Sequence, residues 1–204
     1  MPLLLLLPQC FAFELPLSDQ SLREAYFIGQ HHDTSTEASL KPYIHHLPVP
    51  QKGPYISEIR LFTPYAQVID FSNFQSSGYS AQQAAADYRA RTDTILVRVH
   101  IEFTTTYNLI EAENDAKSAS AQKGIKIRRE DFWKAFYVGL SQRDNWIDPI
   151  SLDGEATYAD NHVDGALIWL ICDAHDVASE LASVEVFTPD GQHVITTFDL
   201  SVLR

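Results

Sequence analysis

The chain has 204 residues, 45% of them apolar and 21% charged, and its 27 acidic against 15 basic side chains give a formal net charge of -12. A chain of this length buries roughly 70% of the surface it exposes when unfolded, so a core forms without disulfide or metal staples, and the composition excludes a disordered polymer. The negative field repels phosphate, and the one tight basic run is Lys126, Arg128 and Arg129; nucleic acid and anionic membranes are therefore excluded as expected partners, while cationic ones stay open.

The opening MPLLLLLPQCFAFE is apolar over Leu3 to Leu7 and again over Cys10 to Phe13. It is too short to span a bilayer, which takes about 20 residues. Residues 1–14 read either as a signal peptide lacking its basic start or as an apolar arm, and residues 15–204 as one β-rich domain. The first alternative places the protein in the periplasm or outside the cell; the second leaves it in the cytoplasm.

Helical spacing appears next. Leu22, Ala25, Tyr26 and Gly29 recur at i, i+3, i+4 and i+7 behind a capping Ser18 or Asp19, which predicts a helix ending near Gln30. The following stretch carries Pro42, Pro48, Pro50 and Pro54 and reads as a long connection with a helical turn over Thr36 to Leu40. Tyr55 to Phe71 reads as strand, with Pro64 at a bulge or edge because proline cannot donate to a ladder. Ser80 caps a short alanine-rich helix.

The strongest strand pattern is DTILVRVHIEFTTT, residues 93–106. Ile95, Val97, Val99, Ile101 and Phe103 alternate with Leu96, Arg98, His100, Glu102 and Thr104, so one sheet face packs and the other is wet. Residues 110–124 read as loop with fraying helix. Asp131 to Gln142 fits helix or strand by periodicity, and its aromatic and β-branched content favours strand. Turn signals fill Asp148 to Asn161, with a short segment at Glu155 to Tyr158. Ala166 to Cys172 is a near-continuous apolar strand in which Cys172 acts as a buried thiol. Ser183 to Thr188 and His193 to Leu200 form a hairpin around Pro189-Asp190-Gly191, and Asp173 to Glu180 is placed to cross between two sheets. The expected fold is mainly β with short helices: a two-sheet β-sandwich with an N-terminal helix and helical or loop insertions.

Chemistry-bearing patterns are sparse. His31, His32, His45 and His46 supply four imidazoles within sixteen residues, and Asp160 and Asp164, with Asp148, offer oxygen ligands of the kind calcium takes in sandwich end loops. These are the candidate metal ligands, although no HExxH or EF-hand spacing accompanies them. Neither a GxSxG elbow nor a cysteine motif is present, so no catalytic residue and no cofactor is assigned. Glu58 and Glu102 fall on candidate strands with Arg60 and Arg98, a pattern of cross-strand ion pairs on a wet face. Trp133, Trp146, Tyr137, Phe74 and Tyr79 are candidates for an aromatic recognition surface, with Trp133 and Trp169 better suited to the core and Trp146, flanked by Asn145 and Asp148, the least committed. The expected function is a non-enzymatic binding, structural or accessory domain whose partner is an unknown protein or small molecule. A metal-assisted hydrolase using the loop histidines is the alternative.

Overall fold

The structure is a computed structural model that describes residues 13–51, 53–75, 78–104, 130–159 and 162–204. The apolar start with Cys10, the basic run at 126–129, the loop expected over 110–124 and the candidate ligand Asp160 lie outside the described residues.

Among the described residues, four α-helices form where the caps are. Ser18 accepts a hydrogen bond from the Ser21 N–H and starts α1 (Asp19–Gln30), whose Leu22, Ala25, Tyr26 and Gly29 are buried at the expected spacing. Asp33 caps α2 (Thr34–Leu40) through the Ser35 N–H, so the helix starts two residues earlier than the predicted turn. A 3-10 turn (Lys41–Tyr43) leads into a three-residue strand, β1 (Ile44–His46), inside what was read as connection.

β2 (Pro54–Phe62) stops at Thr63, and the expected continuation of strand to Phe71 is overturned. Pro64 occupies the first turn of α3 (Pro64–Phe74), with Thr63 as its cap. The first helical turn has no use for the missing N–H, and proline's fixed φ is already helical there. A register shift does occur in β2, between Ile56 and Glu58. Ser80 caps α4 (Ala81–Arg89) as predicted, and β3 (Thr94–Phe103) buries Ile95, Val97, Val99 and Ile101 completely.

Beyond a 3-10 turn (Phe132–Ala135) comes β4 (Tyr137–Gln142), so the ambiguous segment is a strand preceded by a turn. A two-residue loop with positive φ at Arg143 (50°) and Asp144 (63°) folds it back into β5 (Asn145–Ile147). These are the dihedral signs of a type I′ hairpin.

β6 (Pro149–Ala159) is a further correction, because the turn-rich segment is an eleven-residue strand. It lies at a sheet edge and is mostly exposed, so its residues show no apolar alternation. Gly154 within it receives the indole of Trp133: a β-carbon there would stand 2.8 Å from the ring. β7 (His162–Asp173) extends the apolar run at both ends. β8 (Leu181–Phe187) and β9 (His193–Asp199) form the predicted hairpin, with Gly191 at φ +87°.

The strands make two antiparallel sheets, one in the order β1-β2-β3-β7-β6 and the other β5-β4-β8-β9. The chain changes sheet between β3 and β4, at Asp148 between β5 and β6, and after β7 through a 3-10 turn (Ala174–Asp176), as sandwich corners require. The direction of each face follows from contacts. His45 is opposite Ile59 and its ring meets Phe198 of β9 edge-on at 4.6 Å, so the Ile59, Val99, Ile168 face of the larger sheet looks at the smaller one. The reverse face carries Arg98, whose guanidinium pairs with Asp70 of α3 at 3.2 Å. α3 therefore lies along that reverse face, with α1 packed on it. One buried apolar cluster runs from Phe13 to Leu203 through both sheets and the helices. No described helix is long and apolar enough to cross a membrane.

Candidate functional site

The sequence candidates separate into those the fold scatters and those it gathers. Of the histidines, His31 ends α1, and His32 sits at positive φ with Nδ1 3.2 Å from Asn73 Oδ1. His45 and His46 point to opposite faces of β1, the first against Phe198 and the second with Nδ1 3.3 Å from Glu58. No three His, Cys, Asp or Glu side chains converge for a metal among the described residues. Among the described residues, Asp164 Oδ1 is buried with no hydrogen-bond partner.

The wet face of the larger sheet is a half-buried charge network. Glu58 is opposite His100 and Arg60 is opposite Arg98, an arrangement that brings like charges together across β2 and β3. Each guanidinium is met by a carboxylate: Arg60 by Glu58 two residues away on the same strand, Arg98 by Asp70 from α3. Glu102 accepts a hydrogen bond of 2.7 Å from the Tyr55 hydroxyl, which holds the carboxyl below its usual range and pushes the phenol up to about 12. Every charge here has a local partner, so the geometry describes sheet and helix docking.

Between α3, α4 and the start of β3 lies a cleft of about 30 Å³, large enough for water and little else. Tyr79 donates to Asp87 and Tyr88 to Asp93 along it. Burial, reinforced by these carboxylates, raises both phenols. Gln67 closes the floor by donating to the Thr94 carbonyl at 2.6 Å.

The aromatic candidates divide. Trp133 is buried over Gly154, Tyr79 is bound to Asp87, and Phe74 is exposed at the end of α3. Tyr137 and Trp146 come together on the outer face of the smaller sheet, 52% and 48% exposed, with ring centroids 5.7 Å apart and planes at 87°.

Phe187 and His193 extend this pair into a row across four strands. Tyr137 is directly opposite Phe187, and Phe187 is directly opposite His193. The centroid steps are 5.9 Å from Tyr137 to Phe187 and 4.0 Å from Phe187 to His193, the last pair stacked at 11°. Gly139 lies beneath Trp146, where a β-carbon would stand 2.3 Å from Cζ3, so the absence of a side chain lets the indole rest on the sheet.

Glu185 anchors the row from the next register position. One carboxylate oxygen accepts from the Ser141 hydroxyl at 3.1 Å, and the other lies 2.8 Å from His193 Nε2. Leu181 and Ile195 on the same two strands are 60% and 55% exposed. The face thus presents ring surface, aliphatic surface and a partly buried carboxylate. On this face the Ser141 hydroxyl donates to a carboxylate and not to an imidazole.

Phe187, His193, Glu185 and Gly139 were not recognised as site residues from the sequence. The hairpin turn at 189–191 was readable, and counting outward from it pairs Phe187 with His193; their junction with Tyr137 depends on a pairing between strands some fifty residues apart. Comparison of the chain with protein-family models, curated proteins and solved structures finds no match to any of them.

Proposed function

We propose that this protein is a non-enzymatic binding domain and that the outer face of its four-stranded sheet, centred on Tyr137 and Trp146, contacts a protein partner. The observation that carries the reading is the exposed row Trp146, Tyr137, Phe187 and His193, seated on Gly139. Single exposed rings are ordinary, but a contiguous exposed row of them marks an interaction surface, and tyrosine and tryptophan dominate the binding energy of protein interfaces because they offer large area at low entropic cost. Hydrogen-bonding groups at the floor of the row, Ser141 and Glu185, supply the polar fraction that such interfaces carry.

The test compares the intact chain with the doubly substituted chain Tyr137→Ser, Trp146→Ser. Both side chains are half exposed, so the substituted chain keeps its far-ultraviolet circular dichroism and its melting temperature. A purified partner whose calorimetric affinity falls at least tenfold on the substitution is the expected result. A partner bound equally by both chains, or a bound molecule that is chemically turned over, refutes the assignment.

A further inference from the structure

We infer that the aromatic face takes a basic peptide segment of its partner, with lysine or arginine side chains laid over Trp146, Tyr137 and Phe187, and with Glu185, which already meets Ser141 and His193, adding negative charge beside them. This rests on the binding reading above and adds the chemistry of the occupant. The argument is charge complementarity. Strands β4, β5, β8 and β9 contain neither lysine nor arginine; apart from the Tyr137 phenol, their ionisable side chains are Glu185, His193 and Asp199. Arg143, in the β4–β5 turn, is turned away into a pair with Glu180, its Nε 2.8 Å from the carboxylate. The chain as a whole carries a formal charge of -12.

Four rings elsewhere in the fold already hold a cation. Arg91 lies over Phe71 at 4.6 Å, Arg204 over Tyr65 at 4.4 Å, Arg98 over Phe62 at 5.5 Å and Lys134 over Trp133 at 5.5 Å. Among the described residues, no lysine or arginine takes such a position over Tyr137, Trp146 or Phe187. The negative face of a π-system attracts a cation within about 6 Å of the ring centroid, most strongly for tryptophan. The row therefore offers successive acceptor sites at steps of 5.7 and 5.9 Å. Leu181 and Ile195 flank it and supply apolar surface for the aliphatic stems of long basic side chains.

The experiment uses the full chain and an end-blocked, fluorescently labelled eight-residue peptide alternating arginine and leucine, with a comparison peptide in which each arginine is glutamine. Anisotropy titrations are run on the wild type, Tyr137→Ala, Trp146→Ala and Glu185→Gln. The control chain, Glu37→Gln with Glu155→Gln, removes two carboxylates from α2 and β6. The expected result is binding of the arginine peptide, weakened about two- to fivefold by each single substitution on the row, as the loss of one exposed cation–π contact implies. The control chain binds as the wild type does, and the glutamine peptide binds at least tenfold more weakly. If the glutamine peptide binds equally well and still loses affinity on Tyr137→Ala, the cationic occupant is overturned and the binding face stands. If arginine-peptide affinity is the same for all chains, attraction to net charge is the whole effect and the inference fails. Self-association of the wild type in sedimentation velocity, abolished by Trp146→Ala, also overturns it, because a second copy is then the occupant.

Discussion

The benzo ring of Trp146 lies over Gly139, so close that a β-carbon at 139 would stand 2.3 Å from Cζ3 and 2.8 Å from Cε3. Glycine here is required by a neighbour and not by backbone conformation. Gly139→Ala displaces the indole, and because that ring is the free end of a half-exposed side chain, the cost to stability stays below about 1 kcal/mol. The near-ultraviolet circular dichroism of the Tyr137–Trp146 pair changes while the melting temperature barely moves. An unchanged spectrum would show that the indole does not rest on Gly139.

Gly165 supplies the contrast. A β-carbon there would meet the Ile101 carbonyl oxygen at 2.1 Å, inside the β3–β7 ladder, where backbone cannot yield. Gly165→Ala is expected to cost about 3 kcal/mol or more, in the upper range of overpacking, read as a lowered denaturation midpoint. A midpoint within experimental error of the wild type would contradict the close approach of the two strands.

Asp70 and Arg98 join α3 to the larger sheet at side-chain exposures of 10% and 20%. Asp70→Leu leaves the guanidinium without its carboxylate, and Arg98 Nε has no partner among the described residues, so a loss of about 3 kcal/mol is expected in chemical denaturation. The double substitution Asp70→Leu, Arg98→Leu recovers most of it, since the desolvation penalties disappear together. Additive losses in that cycle would mean the two residues act independently.

Cys172 is fully buried in β7, and burial, with Asp176 nearby, pushes its thiol up to about 11. The folded state holds this proton more tightly than the unfolded chain does. The thiol's contribution is therefore complete below the unfolded value of about 9 and is lost as pH rises through 11. Two units correspond to about 3 kcal/mol, so alkaline stability declines across that window, and Cys172→Ala flattens the decline. At pH 8 the native thiol is expected to resist a disulfide reagent that labels the urea-unfolded chain fully. Rapid labelling of the native chain would place Cys172 outside the core.

Thr63 caps α3 and donates its hydroxyl proton to the Arg204 carbonyl, while Tyr43 and Tyr65 also meet Arg204. Thr63→Val keeps the shape and removes both hydroxyl bonds, at an expected cost of about 2 kcal/mol. Amide exchange then quickens at Ala66 and over residues 202–204. Faster exchange at Ala66 alone would confine Thr63 to its capping role.

Local chemistry was legible wherever one residue's own geometry decides the outcome. Ser18, Ser80 and Gly191 each mark a cap or a turn in the sequence, and the alternation of Ile95, Val97, Val99 and Ile101 reports a half-buried strand without knowledge of what packs on it. Pro64 was legible as an interruption but not in its role, because proline suits a strand edge and a first helical turn equally, and the packing of α3 on the sheet chose between them. β6 was hidden for a different reason: an exposed edge strand owes its structure to the ladder with β7 and carries no apolar pattern of its own.

The same division separates the site from its parts. Composition, the apolar periods and the turn residues determined a mainly β chain with capped helices and a closing hairpin, since these follow from interactions a few residues long. The dispersal of the four histidines and the assembly of Trp146, Tyr137, Phe187 and His193 were decided only in three dimensions. A side chain's neighbours across a sheet depend on strand order and register, which the burial of the whole core selects and no short stretch of sequence encodes.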